Sequence, residues 1–254
     1  MFLCGIARPP GAGAGAEPRS LTDAADELEA GAMPVAEGVV SVATAGVRLD
    51  PARHIDAAAR CLSDTETQRA ALFFKDADRV RYTLAHAMLR ALLARRLAVA
   101  PAEITFAAGP NGKPRLAEPA ADVAFNLSYG DGMVAIAFAR RPVGVDLEAV
   151  RDNLAFSEIG GRFFQPDELR YLNSGRDSDA GSGVRDRFFR LWTRKEAVLK
   201  ALGVGLSGLG EVSVLGDLVD ADGAQGGAVR LALRSLPGPP RHALALALET
   251  RRRV

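Results

Sequence analysis

The most restrictive feature of the chain is an order of elements that occurs twice. "VVSVATAGVRL", from Val39, alternates as a strand does, and "DADRVRYTLAHAMLRALLARRL" then carries apolar residues at helical spacing. "EITFAAGPNGKPRL" follows as strand, turn and strand, and "DVAFNLSYGDGMVAIAFA" as a strand, a Gly/Asp turn and a strand. The order then returns. "VGVDLEAV" is an opening strand, "DRFFRLWTRKEAVLKAL" a second long helix, and "EVSVLGD", "AVRLALRSL" and "HALALALE" closing strands. The similarity is one of order, not of residue identity. Helices and strands with one apolar face must bury those faces on each other. The expected fold is therefore α+β, a pseudo-twofold two-lobed arrangement in which each half is a long helix packed on a small, mainly antiparallel sheet. The halves are expected at 39–141 and 142–254, with a site at their junction. Residues 1–38, centred on "PPGAGAGAEP", bury too little to order themselves and are expected to form a flexible arm, in which "LTDAADELEA" has the composition for a turn or two of helix.

Composition narrows the function classes. At 254 residues the chain can bury a sizeable core, and 48% hydrophobic with 25% charged residues is ordinary for a soluble globular protein. A formal net charge of +1 gives no strong field towards nucleic acid or a membrane surface. Cys4 and Cys61 have neither disulfide-framework nor zinc spacing. No apolar run has the length of a membrane span and the N-terminus lacks signal-peptide character, so a cytoplasmic location is expected. The protein is also expected to be a monomer.

Within this frame "VGVDLE" is out of place. Asp146 and Glu148 share one face of a strand, on the order of 7 Å apart, while Val145 and Leu147 take the other. Alone, such a pair more often marks a solvated sheet face than a site. The second long helix shifts that balance. Phe188, Phe189, Leu191, Trp192, Val198, Leu199 and Leu202 form a broad apolar arc, with Arg187, Arg190, Thr193, Arg194 and Ala197 opposite. Lys195 and Glu196 fall inside the arc and Lys200 at its edge. Lys195 could snorkel, and Glu196 with Lys200 could be a surface pair. A carboxylate facing a core, however, needs a cation or several donors. Three carboxylates with no soft ligands beside them suit Mg²⁺, or Mn²⁺, and Mg²⁺ commonly works on phosphates.

Several residues could serve a phosphate ligand, none decisively. "GPNGKPRL" is a turn followed by Lys113 and Pro114; "FNLSYGDG" offers Ser128; Lys75, Arg79 and Arg81 lie around the start of the first long helix.

Taken in order, "NGKPRL", "FNLSYGDGMVAIAFA", "VGVDLE" and "FFRLWTRKEAVLKALGVGL" resemble the 4′-phosphopantetheinyl transferase superfamily, in its larger Sfp-like, two-lobed form, over roughly 39–209. The resemblance implies a Mg²⁺-dependent enzyme that moves 4′-phosphopantetheine from coenzyme A to a serine of an apo acyl or peptidyl carrier protein and releases adenosine 3′,5′-bisphosphate. It implies that coenzyme A and the ion bind between the halves. By motif position Asp146, Glu148 and Glu196 would hold the metal, Lys200 would neutralise the phosphate under attack, and Glu196 would be base, ligand or both. Lys113, Pro114, Ser128 and Tyr129 would contact coenzyme A, with Lys75 and Arg81 at its adenosine phosphate end. Many such proteins have histidine where this chain has Tyr129, which carries no charge at neutral pH and so puts selectivity for coenzyme A over its dephospho form in question.

Two other classes stay open. A non-catalytic carrier-protein-binding module of the same fold would be expected to have lost the acidic set. Another Mg²⁺-dependent phosphotransfer enzyme would need a phosphate loop, and no GxxxxGK[ST] is present. The polar loop Asn173 to Asp186 is expected to flank a carrier-protein site, and the terminal "RRRV" to be a solvated tail.

Overall fold

The computed structural model describes residues 5–6, 41–45, 51–174, 183–224 and 226–250. Most of the N-terminal arm, the centre of the 173–186 loop, Cys4 and the "RRRV" tail lie outside the described residues. The chain divides into two compact units, residues 1–108 with 114–140, and residues 109–113 with 141–254. Both combine helices with a small, mainly antiparallel sheet, so the expected α+β class holds within each. No helix among the described residues is long and apolar enough to cross a membrane.

In the first unit β1 (Gly5–Ile6) pairs parallel with β2 (Ser41–Ala45), and β2 continues antiparallel through β6 (Met133–Ala139) to β5 (Ala124–Gly130). The hairpin of β3 (Thr105–Ala108) and β4 (Pro114–Glu118) forms a separate pair. Helix α3 (Asp76–Leu97) buries Leu84, Met88 and Leu92 against Phe125, Ile136 and Phe138, as its periodicity predicts. Two short helices that the sequence analysis did not identify precede it. They are α1 (Pro51–Ala59) and α2 (Asp64–Ala71), the latter opened by a capping box between Ser63 and Glu66.

In the second unit the sheet order is β7 (Val143–Ala149), β10 (His242–Glu249), β9 (Ala228–Leu236) and β8 (Leu218–Asp222), antiparallel throughout. Helices α4 (Phe156–Phe163) and α5 (Pro166–Leu172) lead to α6 (Val184–Leu202). The register sets Gly144, Asp146 and Glu148 opposite Ala247, Ala245 and Ala243, so small residues line this face of the sheet. Ala245 and Ala247 share a core with Ala197, Val198 and Ala201 of α6. The alternate face, with Val143, Val145 and Leu147 opposite Leu248, Leu246 and Leu244, is also buried.

The segment "EVSVLGD" corrects an expectation: it is not a strand, and β8 begins only at Leu218. Val212 and Val214 do enter the core, but the carbonyls of Val212, Val214 and Gly216 accept hydrogen bonds from Lys195 and Arg194 of α6. Side-chain cations thus take bonds that a neighbouring strand would otherwise supply.

Candidate functional site

The acidic strand and the long helix meet at a glycine. A Cβ built on Gly144 would stand 2.0 Å from the Ala197 carbonyl oxygen and 2.4 Å from the Ala201 nitrogen, distances no side chain tolerates. Gly144 lets β7 lie directly on the backbone of α6. Two residues further along the same face Asp146 is almost wholly buried, and its Oδ1 accepts a charge-assisted bond from Lys200 Nζ at 2.6 Å. The acidic face therefore turns towards the helix and not towards water. Lys200 pairs across to the strand, which displaces the surface pair with Glu196 that helical spacing allows.

Glu148 and Glu196 complete the set. Burial, joined by the Asp146 charge and by Glu196, pushes the Glu148 carboxyl up to about 7 against the opposing pull of Lys200 and Arg151. Burial and then the Asp146 charge raise Glu196 to about 7 as well, with Lys200 opposing. Three carboxylates thus share one field that Lys200 offsets only in part. Oxygen donors with an excess of negative charge are what Mg²⁺ or Mn²⁺ calls for, so the donor chemistry fits such an ion. As placed, the side chains are not drawn into a closed set: among the described residues no three His, Cys, Asp or Glu side chains are grouped so as to hold a metal.

The helix carrying Glu196 and Lys200 is fixed by cations that the sequence analysis placed differently. Lys195 does not snorkel. It is fully buried, 2.8 Å from Glu168 Oε2, and donates to the carbonyls of Leu209 and Val212. Glu168 in turn accepts from the backbone N–H groups of Gln165 and Val214. Arg187 and Arg194, expected on a polar face, are buried too and donate to the Leu172 and Val214 carbonyls. On the other side of the arc Phe188 stacks on Trp192, with Phe156, Phe163 and Phe164 around them. Only Arg190, in the middle of the helix, stays exposed. Helical periodicity alone could not separate solvated cations from cations that bind loop carbonyls.

Lys113 belongs to the second unit, and its Nζ donates to the carbonyls of Val143 and Ala201 at 3.0 and 3.1 Å. Burial lowers its pKa to about 8. It ties the start of β7 to the end of α6, beside the Gly144 contact. Asn111, in the same turn, donates to the Gly203 carbonyl. Pro114 is exposed at the start of β4.

The remaining candidates lie in the first unit. Ser128 is buried on β5, and Tyr129 beside it is half-buried. Burial raises the Tyr129 phenol, Arg69 and Arg81 lower it, and Asp78 opposes them, so Tyr129 and Arg81 share one neighbourhood. Arg81 also pairs with Asp78 at 3.3 Å. Lys75 is exposed as the residue before α3, where its carbonyl accepts the Asp78 and Arg79 N–H groups.

Comparison with known proteins converges on one family. Residues 142–242 match the family described as the 4′-phosphopantetheinyl transferase superfamily, and residues 50–141 the one described as 4′-phosphopantetheinyl transferase, N-terminal. The chain is 34% identical over 167 residues to 4′-phosphopantetheinyl transferase HetI of Nostoc sp., covering 65% of this chain and 69% of that protein. The chain belongs to the 4′-phosphopantetheinyl transferase superfamily. A phosphopantetheinyl transferase of Thraustochytrium sp. is 33% identical over 180 residues, 65% of this chain and 62% of that one. The 4′-phosphopantetheinyl transferase Sfp of Bacillus subtilis is 30% identical over 146 residues, 58% and 62%. The matches to these last two thus span about three fifths of those proteins.

Membership places the chain among transferases. In this 4′-phosphopantetheinyl transferase family member the superfamily match contains Asp146, Glu148, Glu196 and Lys200, and the N-terminal match contains Lys75, Arg81, Lys113, Pro114, Ser128 and Tyr129. Two supporting residues, Gly144 and Glu168, are not among the candidates named from the sequence. Gly144 had a visible signal, a glycine two positions before the buried aspartate on the same face. Glu168 had none, because its partner lies 27 positions away, at Lys195, across an interhelix loop.

Proposed function

We propose that this enzyme transfers 4′-phosphopantetheine from coenzyme A to a serine hydroxyl of an apo acyl or peptidyl carrier protein, in a Mg²⁺-dependent reaction. The observation that supports this reading best is the shared electrostatic field of Asp146, Glu148, Glu196 and Lys200 on the facing surfaces of β7 and α6, in a chain of this family.

In the reaction the serine oxygen forms a bond to the phosphorus that carries the pantetheine arm, and the pyrophosphate bridge to the adenosine side breaks. Adenosine 3′,5′-bisphosphate leaves with the bridging oxygen. Glu196 takes the serine proton, directly or through a water. Without the ion, burial and the Asp146 charge raise its carboxyl to about 7. Lys200 neutralises charge on the phosphate under attack, and the Asp146 carboxylate orients it at 2.6 Å. Asp146 and Glu148, with Glu196, would hold Mg²⁺, which when bound supplies charge stabilisation at the pyrophosphate. Lys75, Arg81, Lys113, Ser128 and Tyr129 are assigned to coenzyme A.

Intact-mass spectrometry of several apo carrier proteins incubated with this protein, coenzyme A and Mg²⁺ tests the proposal. A phosphopantetheine mass gain on at least one carrier is expected; no gain on any of them contradicts it.

A further inference from the structure

The turn 109–113 carries two side-chain donors whose bonds the reaction above leaves without a use. Asn111 and Gly112 both take the left-handed conformation, at φ 51° and 79°. The Gly109 N–H donates to the Lys113 carbonyl at 2.7 Å, and the Gly112 N–H to the Gly109 carbonyl at 3.1 Å. A Cβ on Gly109 would stand 2.8 Å from that Lys113 oxygen, so glycine is what lets the turn close. A turn held in this way fixes where its side chains start.

Both donors go to the end of α6. Asn111 Nδ2 reaches the Gly203 carbonyl at 2.8 Å and Lys113 Nζ the Ala201 carbonyl at 3.1 Å, across 92 and 88 positions of sequence. The last carbonyls of a helix lack partners within it and carry the negative end of its dipole. An amide and an ammonium from a distant turn thus cap α6 where Gly203, at φ 71°, ends it. Lys113 does more than cap, because the same Nζ donates to the Val143 carbonyl at 3.0 Å, at the first residue of β7. Ala201 follows Lys200 in the chain, and Val143 stands three residues before Asp146. One ammonium therefore joins the two backbones that carry the Lys200 and Asp146 pair, which meets at 2.6 Å. Burial lowers the Lys113 pKa to about 8, so the group keeps its charge at neutral pH. Two of its three N–H groups are committed to protein carbonyls.

Resting on the proposed reaction, we infer that Lys113 is a positioning residue for transfer. Its ammonium clamps the end of α6 to the start of β7, and so sets the Lys200 amine against the Asp146 carboxylate and the phosphate under attack. This task is separate from its assignment to coenzyme A. A contact with the donor acts on KM, whereas a clamp acts on kcat through Lys200.

The test measures kcat and KM for coenzyme A, with a saturating apo carrier protein, for the wild type, Lys113→Met and Lys113→Arg, and for Lys113→Met added to Lys200→Met. Lys113→Met is expected to lower kcat about tenfold while KM for coenzyme A changes less than about threefold. Lys113→Arg keeps the charge and the donors and should recover part of the loss. Where Lys200 is already replaced, adding Lys113→Met should lower kcat less than about twofold, since the residue it positions is gone. An unchanged kcat, or the same tenfold loss in both backgrounds, would overturn the positioning role. Hydrogen exchange of the protein alone reads the clamp without substrate. The Gly203 and Val204 amides, both bonded to the Leu199 carbonyl, should exchange about tenfold faster in Lys113→Met, and unchanged exchange would overturn the clamp. Faster exchange in the variant together with no transfer by the wild type to any carrier would instead overturn the proposed reaction.

Discussion

Lys200 Nζ lies 2.6 Å from Asp146 Oδ1, so the last turns of α6 are joined to the middle of β7 through an almost wholly buried carboxylate. The lysine is the counter-charge that two raised carboxyls, Glu148 and Glu196, have in common. Its side chain keeps 28% exposure, so it can meet a substrate phosphate without unfolding the site. Lys200→Met is expected to lower kcat for phosphopantetheine transfer on the order of a hundredfold while the far-UV circular dichroism stays native. Lys200→Arg should recover part of the loss. Single-turnover transfer to a carrier protein measures both.

Gly144→Ala tests whether close approach of strand and helix builds the site. The added methyl meets backbone atoms of Ala197 and Ala201, which cannot swing aside as a side-chain tip can. A loss of about 1–3 kcal/mol in urea unfolding is expected, together with reduced transfer. An unchanged unfolding midpoint would show that β7 and α6 do not lie this close.

How much of this was legible in the sequence depends on what each residue answers to. Helix α3 and strands β9 and β10 span the stretches that their apolar patterns mark, since a run of apolar residues of the right length between turn signals is enough to place an element even where, as in β10, both faces are buried. Asp146 and Glu148 were visible as an oddity, and Glu196 as a carboxylate on an apolar arc. The direction of the acidic face was not visible, since it is decided by a helix some 50 residues later. Helix α2 has a readable signal in the capping box of "SDTE", though its few apolar residues give no clear periodicity. In a helical projection Arg194 looks like a surface cation and Lys195, inside the apolar arc, like a snorkelling one; only long-range carbonyls make them core residues. The same carbonyls explain why "EVSVLGD" fails to form the strand that its alternation suggests.

The Lys195 and Glu168 pair predicts an asymmetric mutational response. Lys195→Met leaves a fully buried carboxylate without its cation and should cost about 3–5 kcal/mol, read as a fall in the urea midpoint. Pairing it with Glu168→Gln removes the stranded charge and should recover part of that. A double variant no more stable than Lys195→Met alone would contradict an ion pair here.

Glu66 predicts a pH dependence of the first unit. Its folded-state pKa of about 2 lies below its ordinary value of 4.5, so its contribution is complete above about pH 4.5 and is lost as the pH falls towards 2. The linkage amounts to about 3 kcal/mol. Urea midpoints between neutral pH and about pH 3 should fall more steeply for the wild type than for Glu66→Gln. Parallel curves would contradict the ionised, buried pairing with Arg90, whose Nε lies 2.6 Å from the Glu66 carboxylate.

The central claim, that the acidic face of β7 and the Glu196 turn of α6 form the transfer site, is tested most directly by one comparison. Wild type, Asp146→Ala and Glu196→Ala, each confirmed as folded, are incubated with the same apo carrier protein, coenzyme A and Mg²⁺, and the carrier's intact mass is followed in time. The prediction is a phosphopantetheine mass gain with the wild type and none with either variant. Mass gain at the wild-type rate in either variant would contradict it.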